Sequence, residues 1–137
     1  MFEEIRKKLT SFFKKEKGIL FAYLFGSAVK GRLISESDID IAVYLDKKRV
    51  KDTFKKRLKL MAEFERILKR ETDVVILNDV KSVFFKFVII KEGKLLFERN
   101  RQKRIEFELE VMRDYYDFSP FMEKYDKVYL ERELSKK

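Results

Sequence analysis

Neither cysteine nor histidine occurs among the 137 residues. The first absence rules out disulfides, in keeping with a cytoplasmic protein. Together the two absences remove the usual protein zinc sites, which are built from thiolates and imidazoles. They also remove Ser-His-Asp triads and Cys-His nucleophile pairs. Any acid–base or metal chemistry must therefore run on carboxylates, lysine, tyrosine or serine. Thermolabile amides are scarce, with one glutamine (Gln102) and two asparagines (Asn78, Asn100). Combined with abundant Lys, Glu and Arg, this is a composition typical of heat-adapted proteins. The longest apolar run, residues 19–25, is far too short to cross a bilayer, so no membrane role is expected. The opening MFEEIRKKL is charged and lacks the apolar stretch of a signal peptide.

What remains is highly charged. Hydrophobic residues make up 45% of the chain, enough for a core, and the length suits one domain. Charged residues reach 42%, against about 25% in an ordinary soluble domain. The formal net charge is +9, and most of it is local: residues 47–70 hold eleven Lys or Arg against three acids, a net of +8. The plain reading of such a run is a solvated helix face. The sharper one is an electrostatic patch for an acidic partner or for RNA.

Apolar spacing predicts the elements. Phe2, Ile5, Leu9 and Phe12 mark a helix over 2–16, with Gly18 as its C-terminal stop. ILFAYLF (19–25) reads as a buried strand, GSAVKGR as a turn opening a short helix near Ser27, and SDIDIAVYL (37–45) as a second strand. A basic helix follows over 52–70. Its expected apolar stripe is Phe54, Leu58, Met61 and Leu68, with Leu60, Phe64 and Ile67 beside it. TDVVIL (72–77) is a third strand. Residues 80–91 have strand-like composition, yet Val80, Val83, Phe84, Phe87 and Val88 recur with helical spacing, so a helix closed by Gly93 is expected. KLLFE is a short strand. A helix over 99–116 carries Ile105, Leu109, Met112 and Tyr116 on one side, and Ser119-Pro120 starts a last helix that fades into ELSKK.

The stretch LFGSAVKGRLISESDIDIAVYL (24–45) holds the chemistry. Strand alternation puts Asp38, Asp40, Ala42 and Tyr44 on one face and Ile39, Ile41, Val43 and Leu45 on the other. Neighbouring carboxylates resist ionising together. A hard cation reverses that penalty, and Mg²⁺ commonly takes one or two carboxylates plus substrate phosphates. Gly26 and Ser27 lie between a strand and an expected helix start, where backbone N–H groups and a hydroxyl can hold a phosphate. Arg32 adds a permanent positive charge.

These residues resemble the fingerprint of the DNA polymerase beta-type nucleotidyltransferases: Gly-Ser, ten residues, then Asp-x-Asp. Here it reads Gly26-Ser27, residues 28–37, Asp38-Ile39-Asp40. The longer pattern of the minimal nucleotidyltransferase (MNT) branch, GS-x3-GR-x4-SD-x-D-x2-V, is also filled, by Gly26, Ser27, Gly31, Arg32, Ser37, Asp38, Asp40 and Val43. The tail RDYYDFSPF matches as well. The resemblance implies an α/β fold of the α+β type, a mixed sheet of about four strands flanked by helices. It implies one domain over 1–137, with 99–137 as a C-terminal helical extension. ATP would rest on Gly26, Ser27, Arg32 and Ser37. Two Mg²⁺ ions would be held by Asp38, Asp40 and a third carboxylate, for which Asp73 is the matching candidate and Glu71 the nearest rival. Asp73 would also be the base, since no histidine exists. The implied activity is transfer of AMP to a tyrosine of a HEPN ribonuclease toxin by a cytoplasmic antitoxin. Two alternatives stay open: a small molecule or RNA end as acceptor, and an antitoxin that neutralises by binding alone.

Overall fold

Four of the apolar runs pair into one sheet whose order brings two distant aspartates together. The structure, a computed structural model, describes residues 1–29 and 38–117. Its elements are α1 (Phe2–Lys15), β1 (Ile19–Phe25), β2 (Ile39–Leu45), α2 (Thr53–Leu68), β3 (Thr72–Ile76), α3 (Val83–Glu92), β4 (Lys94–Glu98) and α4, helical over 101–117. The strand order is β3-β2-β1-β4. β1 runs antiparallel to β2 and β4, whereas β2 and β3 are parallel. A parallel pair needs a long crossover, and α2 supplies it. Asp52 starts that helix by accepting a hydrogen bond from the Lys55 N–H at 3.0 Å. Ser82 does the same for α3, through the Phe85 N–H. This is the mixed α+β sheet that the family resemblance implies.

Both faces of the sheet are buried. On one, Leu24, Ile41 and Val43 pack with Leu9 and Phe13 of α1 and Leu60 and Phe64 of α2. Phe64 is fully buried, with Phe12 set edge-on to it at 5.3 Å between ring centroids. Burying such a side chain stabilises the fold by about 1.5–3 kcal/mol. On the other face, Phe21, Tyr23 and Ala42 pack with Ile89 and Leu77. There Phe21 stacks on Tyr44, and Phe107 of α4 covers both rings.

Three sequence expectations change. The buried stripe of α2 is Leu60, Phe64 and Leu68, while Phe54 and Leu58 stay 68% and 48% exposed. A helix buries one face, and the aromatic contacts from α1 select the one carrying Phe64. On α4 the expected apolar side (Ile105, Leu109, Met112, Tyr116) is the exposed one. Polar contacts decide its rotation: the Tyr23 hydroxyl donates to Glu108, and Arg104 bonds both Glu98 and Glu108. Tyr115 of the same helix stacks on Phe87 at 3.8 Å. Finally, α1 ends at Glu16 rather than on a left-handed Gly18. Gly31, Arg32, Ser37, the helix expected after Pro120 and the ELSKK end lie outside the described residues. Among the described residues, no helix is long and apolar enough to cross a membrane.

Candidate active site

One row of residues crosses the sheet near the start of β2. Asp73 on β3 pairs in register with Asp40 on β2, and Asp40 pairs with Phe25 on β1. Partners in register share a face, so the two carboxylates are neighbours on the α3/α4 side. Asp38, exposed, stands just before β2. Burial is the main cause that pushes the Asp40 carboxyl up to about 6, and the charges of Asp73 and Asp38 add to it. The sheet thus holds together acids that the sequence spaces 33 residues apart.

The end of β1 turns over this row. Gly26 has φ +75°, a left-handed backbone that side chains other than glycine's rarely adopt. A methyl group on Gly26 would collide with Oδ2 of Asp40. Glycine therefore serves two needs at one position, the backbone bend and the close approach of the carboxylate. Gly26–Ala28 then form a single 3₁₀ turn, with Ser27 at its centre. Phe25 and Phe85 meet edge-to-face at 6.0 Å beside it and form an apolar wall.

Sequence reasoning missed Arg57. It lies on α2, behind the sheet, yet its guanidinium reaches around the β3 edge to Asp73 Oδ1 at 3.0 Å. The same group donates through Nε to the Val74 carbonyl at 2.6 Å. Two contacts from one planar fork fix its orientation. Glu65, also on α2, accepts from the Thr72 N–H at 3.3 Å, so α2 satisfies two edge groups of β3. Arg57 was one cation among eleven in its segment. Its distance from Asp73 along the chain gave no clue, because the pairing depends on how α2 lies against β3.

Whether Asp38, Asp40 and Asp73 suit a metal turns on donor chemistry. Among the described residues, no group of three acids is arranged as a ready cage. A cation that arrives with its own phosphate oxygens needs only one or two protein carboxylates. The mutual repulsion expressed in Asp40 is what such a cation relieves. The donor set therefore fits a magnesium–nucleotide complex.

Comparison with known proteins agrees with this geometry. The family described as "Polymerase beta, Nucleotidyltransferase" matches residues 7–102. No curated protein matches significantly. A crystal structure of a toxin–antitoxin with AMP-PNP superposes with a TM-score of 0.73 at 22% identity, covering 91% of this chain and 98% of the other. A complex of a tri-AMPylated Shewanella oneidensis HEPN toxin with MNT antitoxin gives 0.69 at 21% identity, over 95% and 99% of the two chains. The toxin–antitoxin MntA-HepT gives 0.67 at 20%, over 93% and 98%.

Proposed function

The chain belongs to the polymerase beta nucleotidyltransferase family, and we propose that it is an MNT antitoxin that transfers AMP from ATP to a tyrosine of a HEPN ribonuclease toxin. The observation that carries this reading is the register of Asp40 with Asp73 under the Gly26 turn. Folds similar to toxin–antitoxin structures, one holding AMP-PNP and one an AMPylated HEPN toxin, support the acceptor. A cytoplasmic location follows from that role.

In this reading the triphosphate rests on the Gly26–Ser27 turn, where a backbone without side chain lets phosphate oxygens approach. Arg32 and Ser37 are assigned as further nucleotide contacts. Asp38, Asp40 and Asp73 would hold Mg²⁺, which when bound supplies charge neutralisation at the phosphates. The tyrosine oxygen attacks the α-phosphorus and forms the new P–O bond. The bond from that phosphorus to the oxygen bridging the β-phosphate breaks, and pyrophosphate leaves with the electron pair. Asp73 receives the hydroxyl proton. Arg57, bonded to Oδ1, orients the carboxylate for that transfer. The remaining work is positioning.

The reading is tested by mass spectrometry of a HEPN toxin co-expressed with the chain. AMP on a toxin tyrosine is expected with the wild type and not with Asp38→Asn. A toxin neutralised without modification, equally well by Asp38→Asn, would establish the binding-only alternative.

Arg57 gives a separate prediction. Arg57→Gln should cost at most about 1 kcal/mol of stability, because both ion-pair partners are more than a third exposed. Transfer should fall about 10²-fold, because Asp73 loses the group that aims it. Chemical denaturation and transfer of label from α-labelled ATP measure the two effects. Undiminished transfer would reduce Arg57 to an edge cap for β3.

A further inference from the structure

The charge of this protein is concentrated in one segment, residues 47–70, whose helix α2 exposes Phe54 more than any other large apolar side chain among the described residues. Residues 47–70 account for +8 of the +9 net charge, so the rest of the chain is nearly neutral. Some of these cations are used internally: Lys56 pairs with Glu16 at 2.9 Å, Arg57 with Asp73, Arg66 with Glu63. Lys51, Lys55 and Lys59 are exposed and have no ion-pair partner among the described residues. Lys51 precedes α2, and helical spacing sets Lys55 and Lys59 in a row bordering Phe54 and Leu58, the exposed apolar pair. That face borders a cleft of about 280 Å³ between the start of α2 and the β3 edge. Phe54, Val74, Ile76 and Val80 line the cleft, and Arg57 stands in it, bonded to Asp73.

We infer that this face of α2, with the cleft beside it, is the docking surface for the protein acceptor, through an acidic segment of that partner. The inference rests on the reading of Asp73 as part of the transfer site. Three observations point to the same occupant. Unpaired lysines call for an acidic surface, since complementary charge steers association. Exposed Phe and Leu beside them call for side chains to pack against, which separates a protein from a bare phosphate backbone. The cleft reaches Arg57, whose guanidinium holds Asp73, where an acceptor hydroxyl has to arrive. A partner seated on α2 would thus deliver its hydroxyl around the β3 edge, from the side opposite the Gly26 turn of β1.

The test uses the full-length chain, a purified unmodified HEPN toxin as acceptor and a single-stranded RNA oligonucleotide as control. Phe54→Ser and Lys55→Glu/Lys59→Glu, all at exposed positions, should each raise the KM for toxin about tenfold or more. The KM for ATP and the rate at saturating toxin should stay within about twofold of wild type. The wild-type KM for toxin should climb steeply with salt. A toxin KM unchanged by these substitutions overturns the inference, as does a salt-independent one. Loss of RNA binding with toxin KM intact overturns it too and makes the face a nucleic-acid surface. If wild type transfers no AMP, the transfer reading itself fails. The surface is then judged by direct toxin binding in an Asp40→Asn background, where the same substitutions should still weaken the complex about tenfold.

Discussion

Asp40→Asn should abolish nucleotide transfer and, at neutral pH, make the ligand-free protein more stable. The first effect follows from its place in the row Asp73–Asp40–Phe25 beneath the Gly26 turn. An amide cannot supply the negative oxygen that a magnesium–nucleotide complex needs, and losses of about 10²–10³-fold or more are usual when such an electrostatic contact goes. The second effect has a definite sign. In the unfolded chain an aspartate ionises near about 4. In the fold, burial and the neighbouring Asp73 and Asp38 hold the Asp40 proton until about 6. Between those values the native state binds more protons than the unfolded state, so stability declines as pH rises from about 4 to about 6, and the loss persists above. Asparagine does not ionise and escapes that decline. The melting temperatures of wild type and variant should therefore agree near pH 4 and diverge above pH 6, with Asp40→Asn the higher. Scanning calorimetry at both pH values measures the divergence. A variant that melts lower at pH 7.5 would mean that the carboxylate is already well compensated in the ligand-free fold.

This penalty explains how far the site could be read in the sequence. Strand alternation alone put Asp40 on the face away from Ile39, Ile41 and Val43, and the structure has that arrangement. Each of the four strands showed as a short apolar run between glycines or charges. Asp73 could be matched only through the resemblance, since its pairing with Asp40 is a matter of register between strands joined by a helix. The faces of helices were less legible. On α2 two apolar stripes lie side by side, and the choice fell to Phe12 and Phe13 of α1, which meet Phe64. On α4 the more regular apolar stripe lost to Phe107, Val111 and a polar bridge from Tyr23 to Glu108. Periodicity reports that a helix has an apolar side. It does not weigh that side against hydrogen bonds made by the other. Arg57 was hidden for the same reason: its role appears only once α2 is laid along the β3 edge.

Gly26→Ala should damage stability and transfer together, and a double-mutant cycle separates the causes. Alanine at φ +75° is strained, at a cost of about 1–3 kcal/mol. Its methyl would also drive into the Asp40 carboxylate, so the turn or the aspartate must move. Displacing either by about 1 Å disturbs the surface offered to the triphosphate, and misplacement on that scale costs about 10² in rate. The two penalties have different partners. Backbone strain belongs to residue 26 alone, whereas the collision needs Asp40. In an Asp40→Ala background, Gly26→Ala should therefore lose less stability than it does in the wild type. Non-additivity of about 0.5–3 kcal/mol is the range that residues in contact show. Urea denaturation of the four proteins at pH 7.5 measures it. The wild-type background should show the larger loss, even though its Asp40 is the residue that penalises the ligand-free fold. Equal losses in both backgrounds would mean that only the left-handed backbone requires glycine here, and that the approach of Asp40 to the turn is incidental.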